Sequence, residues 1–138
     1  MSEYLVLAET VLFKNEKLTC INIINNFKTV AMPSEFIFDL AFLCGPKWSA
    51  GEHKLSVKAV ANNGKEVELG TANINIPDED FVYNAYVNNV KLTMDYSVTD
   101  LTFYVYDGGR EVYSRKYPVI SMLVPQSVGE ENKQESQG

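Results

Sequence analysis

Few residues in this chain are equipped for covalent or acid–base chemistry. His53 is the single histidine, and Cys20 and Cys44 are the only cysteines. A Ser-His-Asp or Cys-His relay would have to use His53. It opens a strand-like run, and no Gly-x-Ser-x-Gly elbow accompanies it. Cys20 and Cys44 lie in or at the end of apolar runs, where a free thiol behaves as a small buried hydrophobe. A disulfide between them is disfavoured by the compartment that the chain start suggests. One His and two Cys fall short of a zinc site unless carboxylates complete it, so no metal is expected. Asp78-Glu79-Asp80 is the dense acidic cluster. Calcium takes roughly six to eight oxygen ligands, and the spacing is not that of an EF-hand. Asp78 alternatively caps a short helical turn running from Phe81 to Ala85. Glu9 is flanked by Leu7 and Val11. It is either a positioned acid with a raised pKa or, the preferred expectation, a side chain that an edge or a twist delivers to water. Gly108-Gly109 closes a hairpin instead of opening a helix, which excludes a phosphate loop. The expectation is a protein without catalytic residues or cofactor, with a hydrolase or a calcium-dependent binder as lesser alternatives.

The elements that must position these residues read as strands. With 138 residues, 46% of them hydrophobic and 12% aromatic, the chain suits one globular domain over residues 1–124. Residues 125–138 are polar and acidic and are expected to form a flexible tail. A formal charge of −6 argues against a phosphate-binding surface and hence against nucleic acid. Met1-Ser2-Glu3 lacks a basic n-region, and no apolar run approaches the roughly 20 residues of a membrane span. The expected location is the cytoplasm.

Tyr4 to Phe13 is apolar on both faces, so it must be covered on both or meet a second copy of the chain. Lys14-Asn15-Glu16 turns the chain, and Lys17 to Phe27 returns as one strand that ends irregularly among Asn22, Asn25 and Asn26. Phe36, Phe38, Leu40, Phe42 and Cys44 form the aromatic face of a core strand that Gly45-Pro46 ends. Trp48 follows in a loop, where it packs over the end of the core. Leu55, Val57, Ala59 and Ala61 share a core face. Keeping that face apolar across Asn62-Asn63-Gly64 requires a three-residue loop with left-handed Gly64, pairing Ala59 with Val67 and Val57 with Leu69. A bulge is expected at Gly70. Tyr86 to Met94 makes a further strand.

The clearest turn lies in Leu101 to Val119, about Asp107-Gly108-Gly109-Arg110. A two-residue primed turn pairs Asp107 with Arg110, Tyr106 with Glu111, Tyr104 with Tyr113, and Thr102 with Arg115. That register gathers Tyr104, Tyr106, Tyr113, Arg115 and Tyr117 on one solvent-facing side, the composition of a binding hot spot. A solvated face of good strand formers is the plainer alternative.

Seven or eight short strands with turns at Asn-Gly and Gly-Gly imply an all-β, antiparallel β-sandwich of Ig-like or C2-like shape. The chain resembles a family of small, functionally uncharacterised bacterial β-sandwich proteins. The resemblance rests on Leu7-Ala8-Glu9-Thr10-Val11, Lys17-Leu18, Pro33-Ser34-Glu35-Phe36, Gly51-Glu52-His53-Lys54-Leu55, Asn63-Gly64-Lys65, Phe103-Tyr104-Val105-Tyr106-Asp107-Gly108 and Tyr117-Pro118-Val119. It spans residues 4–119 and implies the fold but no activity. The functional expectation is a non-catalytic module that docks a protein partner through the tyrosines. The alternative is a homo-oligomeric structural protein of a phage or mobile element.

Overall fold

The computed structural model describes residues 3–29, 33–45, 48–78 and 80–121. These residues are all-β, and two sheets enclose one main core. The strands are β1 (Glu3–Lys14), β2 (Lys17–Ile24), β3 (Phe27–Thr29), β4 (Ser34–Cys44), β5 (Gly51–Ala61), β6 (Glu66–Ile76), β7 (Tyr83–Met94), β8 (Asp100–Asp107) and β9 (Arg110–Ser121). One sheet runs β2-β1-β4-β7, and the other, which curls as a half-barrel, runs β3-β9-β8-β5-β6. Every pairing is antiparallel except β3 on β9. The expected tail over residues 125–138 lies outside the described residues.

The second strand does not run unbroken to Phe27. β2 ends at Ile24, and β3 crosses to the other sheet, pairing Phe27 with Val119. The reason is packing: Phe27 is buried among Phe36, Phe38, Phe103 and Tyr117, where both sheets meet. The two-faced apolar β1 is buried within its own chain at Leu5 to Ala8 and Val11, while Tyr4, Leu12 and Phe13 stay partly exposed. It lies between β2 and β4, with Leu5 and Leu7 in the main core and Ala8 in a second, smaller cluster.

That second cluster comes from a departure of β1 from β4. Their pairing stops at Ala8 opposite Asp39, while β1 continues with β2 to Lys14 opposite Lys17. The resulting two-stranded arm crosses the sheet: Val11 packs with Ala41, and Phe13 stacks on Tyr86 at 5.5 Å. The apolar outward positions of β4, Ala41 and Leu43, thereby gain a cover.

At the Asn62-Asn63-Gly64 loop, Gly64 has φ 92° and Ala59 pairs with Val67, as the apolar-face argument requires. Val57 pairs with Gly70 instead of Leu69, because the register shifts between Val57 and Lys58. The expected bulge thus begins one residue earlier. A Cβ on Gly70 would lie 3.0 Å from Val87, so bare glycine lets the edges of β6 and β7 approach each other.

Candidate functional site

The hairpin of β8 and β9 keeps its predicted turn, with Asp107 opposite Arg110 and Tyr106 opposite Glu111, but its register then shifts. Val112 is the extra residue, so Val105 pairs with Tyr113, Tyr104 with Ser114, and Phe103 with Arg115. The single tyrosine face therefore divides. Tyr104 and Tyr106 stack at 6.3 Å on the outer side, with the Lys58 ammonium 5.4 Å from the Tyr106 ring. Tyr113, Arg115 and Tyr117 turn toward the core side, and Tyr117 is fully buried opposite Leu101. Without the bulge, Ser114 and Lys116 would face the core; with it they face water, and Tyr117 and Val119 take their place. Arg115 spans the gap between sheets, donating to the Tyr4 hydroxyl at 3.1 Å and to the Asn25 side-chain oxygen at 3.3 Å. Its guanidinium lies 4.7 Å from the Tyr117 ring. Burial pushes the Tyr117 phenol up to about 12.

The fold brings His53 to residues that sequence spacing did not connect with it. Its Nδ1 lies 2.6 Å from an Asp107 carboxylate oxygen, and its Nε2 lies 2.7 Å from the Ser49 carbonyl. Both partners are acceptors, so the geometry favours a ring that donates from both nitrogens, the imidazolium form. The Ser49 carbonyl, followed by Asp107, raises its pKa against the opposing effect of burial. The Ser49 hydroxyl is 3.5 Å from Nε2, but that nitrogen already donates to a carbonyl and has no lone pair to take the hydroxyl proton. Trp48 lies 5.2 Å from the imidazole and 6.0 Å from Phe42, and donates Nε1–H to Glu3 at 2.7 Å. As expected for a lone loop tryptophan, it covers the end of the core. Cys44 is buried nearby, and burial with the negative charges of Asp107 and Glu3 pushes its thiol up to about 12. Such a thiol is a poor nucleophile. Both cysteines are free.

Asp39 is the acid that sequence reading passed over. It is buried beneath the arm and accepts from the backbone N–H of Val11 at 2.8 Å, the N–H of Asn89 at 2.8 Å and the Asn88 amide at 2.9 Å. Burial raises its pKa, but the three donors outweigh it and the net shift is downward. Here β7 carries two residues, Asn88 and Asn89, opposite one, and Asn89 adopts φ 59°. The available signal was an aspartate on the same side of β4 as Ala41 and Leu43, a side that had to be covered. Glu9, by contrast, is exposed and accepts from Asn22 at 2.8 Å, in line with the solvated expectation.

A cleft of about 640 Å³ opens between the arm tip and the start of β7, lined by Phe13, Glu16, Phe81, Val82, Tyr83, Asn84 and Tyr86. The turn at its rim is a two-residue loop with Asn15 at φ 52° and Glu16 at φ 61°. Asp78 holds the opposite rim through its side chain to the Asp80 N–H and its carbonyl to the Phe81 N–H. The chain then enters β7 directly, so the helical turn expected from Phe81 to Ala85 does not form. Glu79 lies outside the described residues. Among the described residues, no group of three potential metal ligands comes together, and no helix is long and apolar enough to cross a membrane.

No family model matches the chain, and no curated protein matches it. Among solved structures it is similar to one titled "X-ray structure of Northeast Structural Genomics Consortium target SoR45", at 9% identity and a TM-score of 0.40, covering 97% of this chain and 96% of that one.

Proposed function

We propose that this protein is a non-catalytic protein-binding or assembly module and that its contact surface is the aromatic cleft at the arm tip, not the hairpin tyrosines. The supporting observation is exposure without solvation benefit: Phe13 is 45% exposed, Phe81 43%, Val82 49% and Tyr86 41%, all on one cleft. Clustered exposed aromatic surface of this kind marks interaction sites. The division of Tyr104 and Tyr106 from Tyr113, Arg115 and Tyr117 weakens the hairpin as a single docking face. The engagement of both His53 ring nitrogens with acceptors and the raised Cys44 thiol favour a structural over a catalytic role for the polar cluster.

The proposed module is a β-sandwich frame of Ig-like or C2-like kind, working in the bacterial cytoplasm for a host, phage or mobile element. A photo-crosslinking phenylalanine analogue at Phe13 and at Tyr104 tests the surface. A discrete partner should be trapped from position 13 only; trapping from position 104 alone would sink the assignment. A second reading is self-association, supported by the edge of β2, unpaired among the described residues, and by exposed Leu12, Ile21 and Ile23 on the arm. Of β1 only the arm-end Leu12 belongs to that surface, because Leu5 to Ala8 and Val11 are buried in its own chain. Light scattering at high concentration separates the two readings.

A further inference from the structure

We propose that the arm-tip cleft receives one basic side chain, a lysine or arginine presented by a protein partner; this rests on the binding-module reading above and names the chemistry of its contact. Phe13, stacked on Tyr86, and Phe81, beside Tyr83, border one cleft, and among the described residues no Lys, Arg or His lines it. The face of an aromatic ring is negative and attracts a cation lying within about 6 Å of its centroid. Glu16 is the charged residue of the lining, and it makes no ion pair among the described residues, although Lys14 and Lys17 face each other at the base of its own turn.

The backbone at Glu16 points the same way. Its φ of 61° is left-handed, and the second position of such a turn is ordinarily glycine. A glutamate there carries strain that glycine would not, and what it adds is a carboxylate on the cleft. Asn84 also borders the cleft, but its Oδ1 is buried beneath the surface, so the acceptor offered to a ligand is the Glu16 carboxylate. Asp78 and Asp80 add negative charge on the facing loop. Aromatic walls with a carboxylate, and no cation among the described lining residues, match a ligand with an apolar stem and a positive, donor-rich head. Lysine and arginine side chains have that construction. The net charge of −6 draws a basic partner surface toward the molecule.

The test is an NMR titration of the full chain with acetylated, amidated Gly-Arg-Gly, its lysine counterpart, a neutral Gly-citrulline-Gly, and free methylguanidinium, following the rings of Phe13, Tyr83 and Tyr86 against Tyr104. The basic peptides should shift the cleft rings and leave Tyr104 unmoved. They should bind at least about tenfold more tightly than the citrulline peptide and lose about tenfold on Glu16→Gln. Glu16→Gly should raise the Tm while losing the same affinity, separating ligand recognition from folding. Equal binding by the citrulline peptide, wild-type affinity in Glu16→Gln, or no cleft shift with any peptide overturns the proposal. Methylguanidinium binding as tightly as the arginine peptide also overturns it, since the site would then take a free small cation. If crosslinking at Phe13 traps a partner while basic peptides fail, the binding-module reading stands and this ligand chemistry falls.

Discussion

Asp39 and His53 give the fold opposite responses to pH. Asp39 has a folded pKa below its ordinary 3.8, so its stabilisation is present above 3.8 and is lost as pH falls through the lower folded value. His53 has a folded pKa above 6.5, so its stabilisation is complete below 6.5 and is lost as pH rises through the higher folded value. Thermal unfolding followed across both windows should give a Tm that declines at each end, and His53→Gln should remove the alkaline decline alone. A neutral ring keeps one donor for two acceptors, so the link between Asp107 and the Trp48 loop weakens first. Asp39→Ala would leave the Val11 and Asn89 N–H groups buried without an acceptor. At about 1–3 kcal/mol for each orphaned group, denaturant unfolding should register a loss of roughly 2–6 kcal/mol. Asp39 was legible only as a polar residue in an apolar series. Its burial depends on an arm that is 28 residues distant at Val11.

At the scale of the element, one-residue irregularities decide which side chains reach water. The Val112 bulge inverts the faces of β9 and breaks up the predicted tyrosine surface, because burying Lys116 would cost far more than one lost ladder position. The hairpin turn itself was legible from Gly108-Gly109, whose glycines adopt φ 59° and 86°. The signal for the shift lies in Ser114 and Lys116, which an unbroken alternation would place against the core. At the arm tip, Glu16→Gly should stabilise the fold by about 1 kcal/mol, measured in denaturant, by placing the favoured residue at a left-handed position. On β6, Gly70→Ala should destabilise by about 1 kcal/mol, since a methyl group 3.0 Å from the Val87 side chain forces that side chain out of its place.

Across the whole molecule, stability concentrates where β3 joins the two sheets. Phe27→Ala removes a ring in contact with four others and should cost about 3–5 kcal/mol in a chemical-denaturation midpoint. Replacing the exposed Ile21 or Ile23 with lysine should leave that midpoint within about 0.5 kcal/mol. Together these variants would show that the arm's outer side contributes nothing to the core and is free for contacts.

What this sequence determined by itself follows from local chemistry. Alternating apolar residues specified the strands β4, β5 and β8, and glycine's tolerance of positive φ specified the turns at Gly64 and Gly108-Gly109. An all-β chain follows from those signals, because strand periodicity and turn chemistry act within a few residues. The tertiary structure alone decided the split of β2 from β3, the fold-over of the arm, the meeting of His53 with Asp107 and the gathering of Phe13 with Phe81. Each depends on where a bulge or a buried ring sets the register between segments far apart in sequence. A shift of one residue there moves every following side chain to the opposite face.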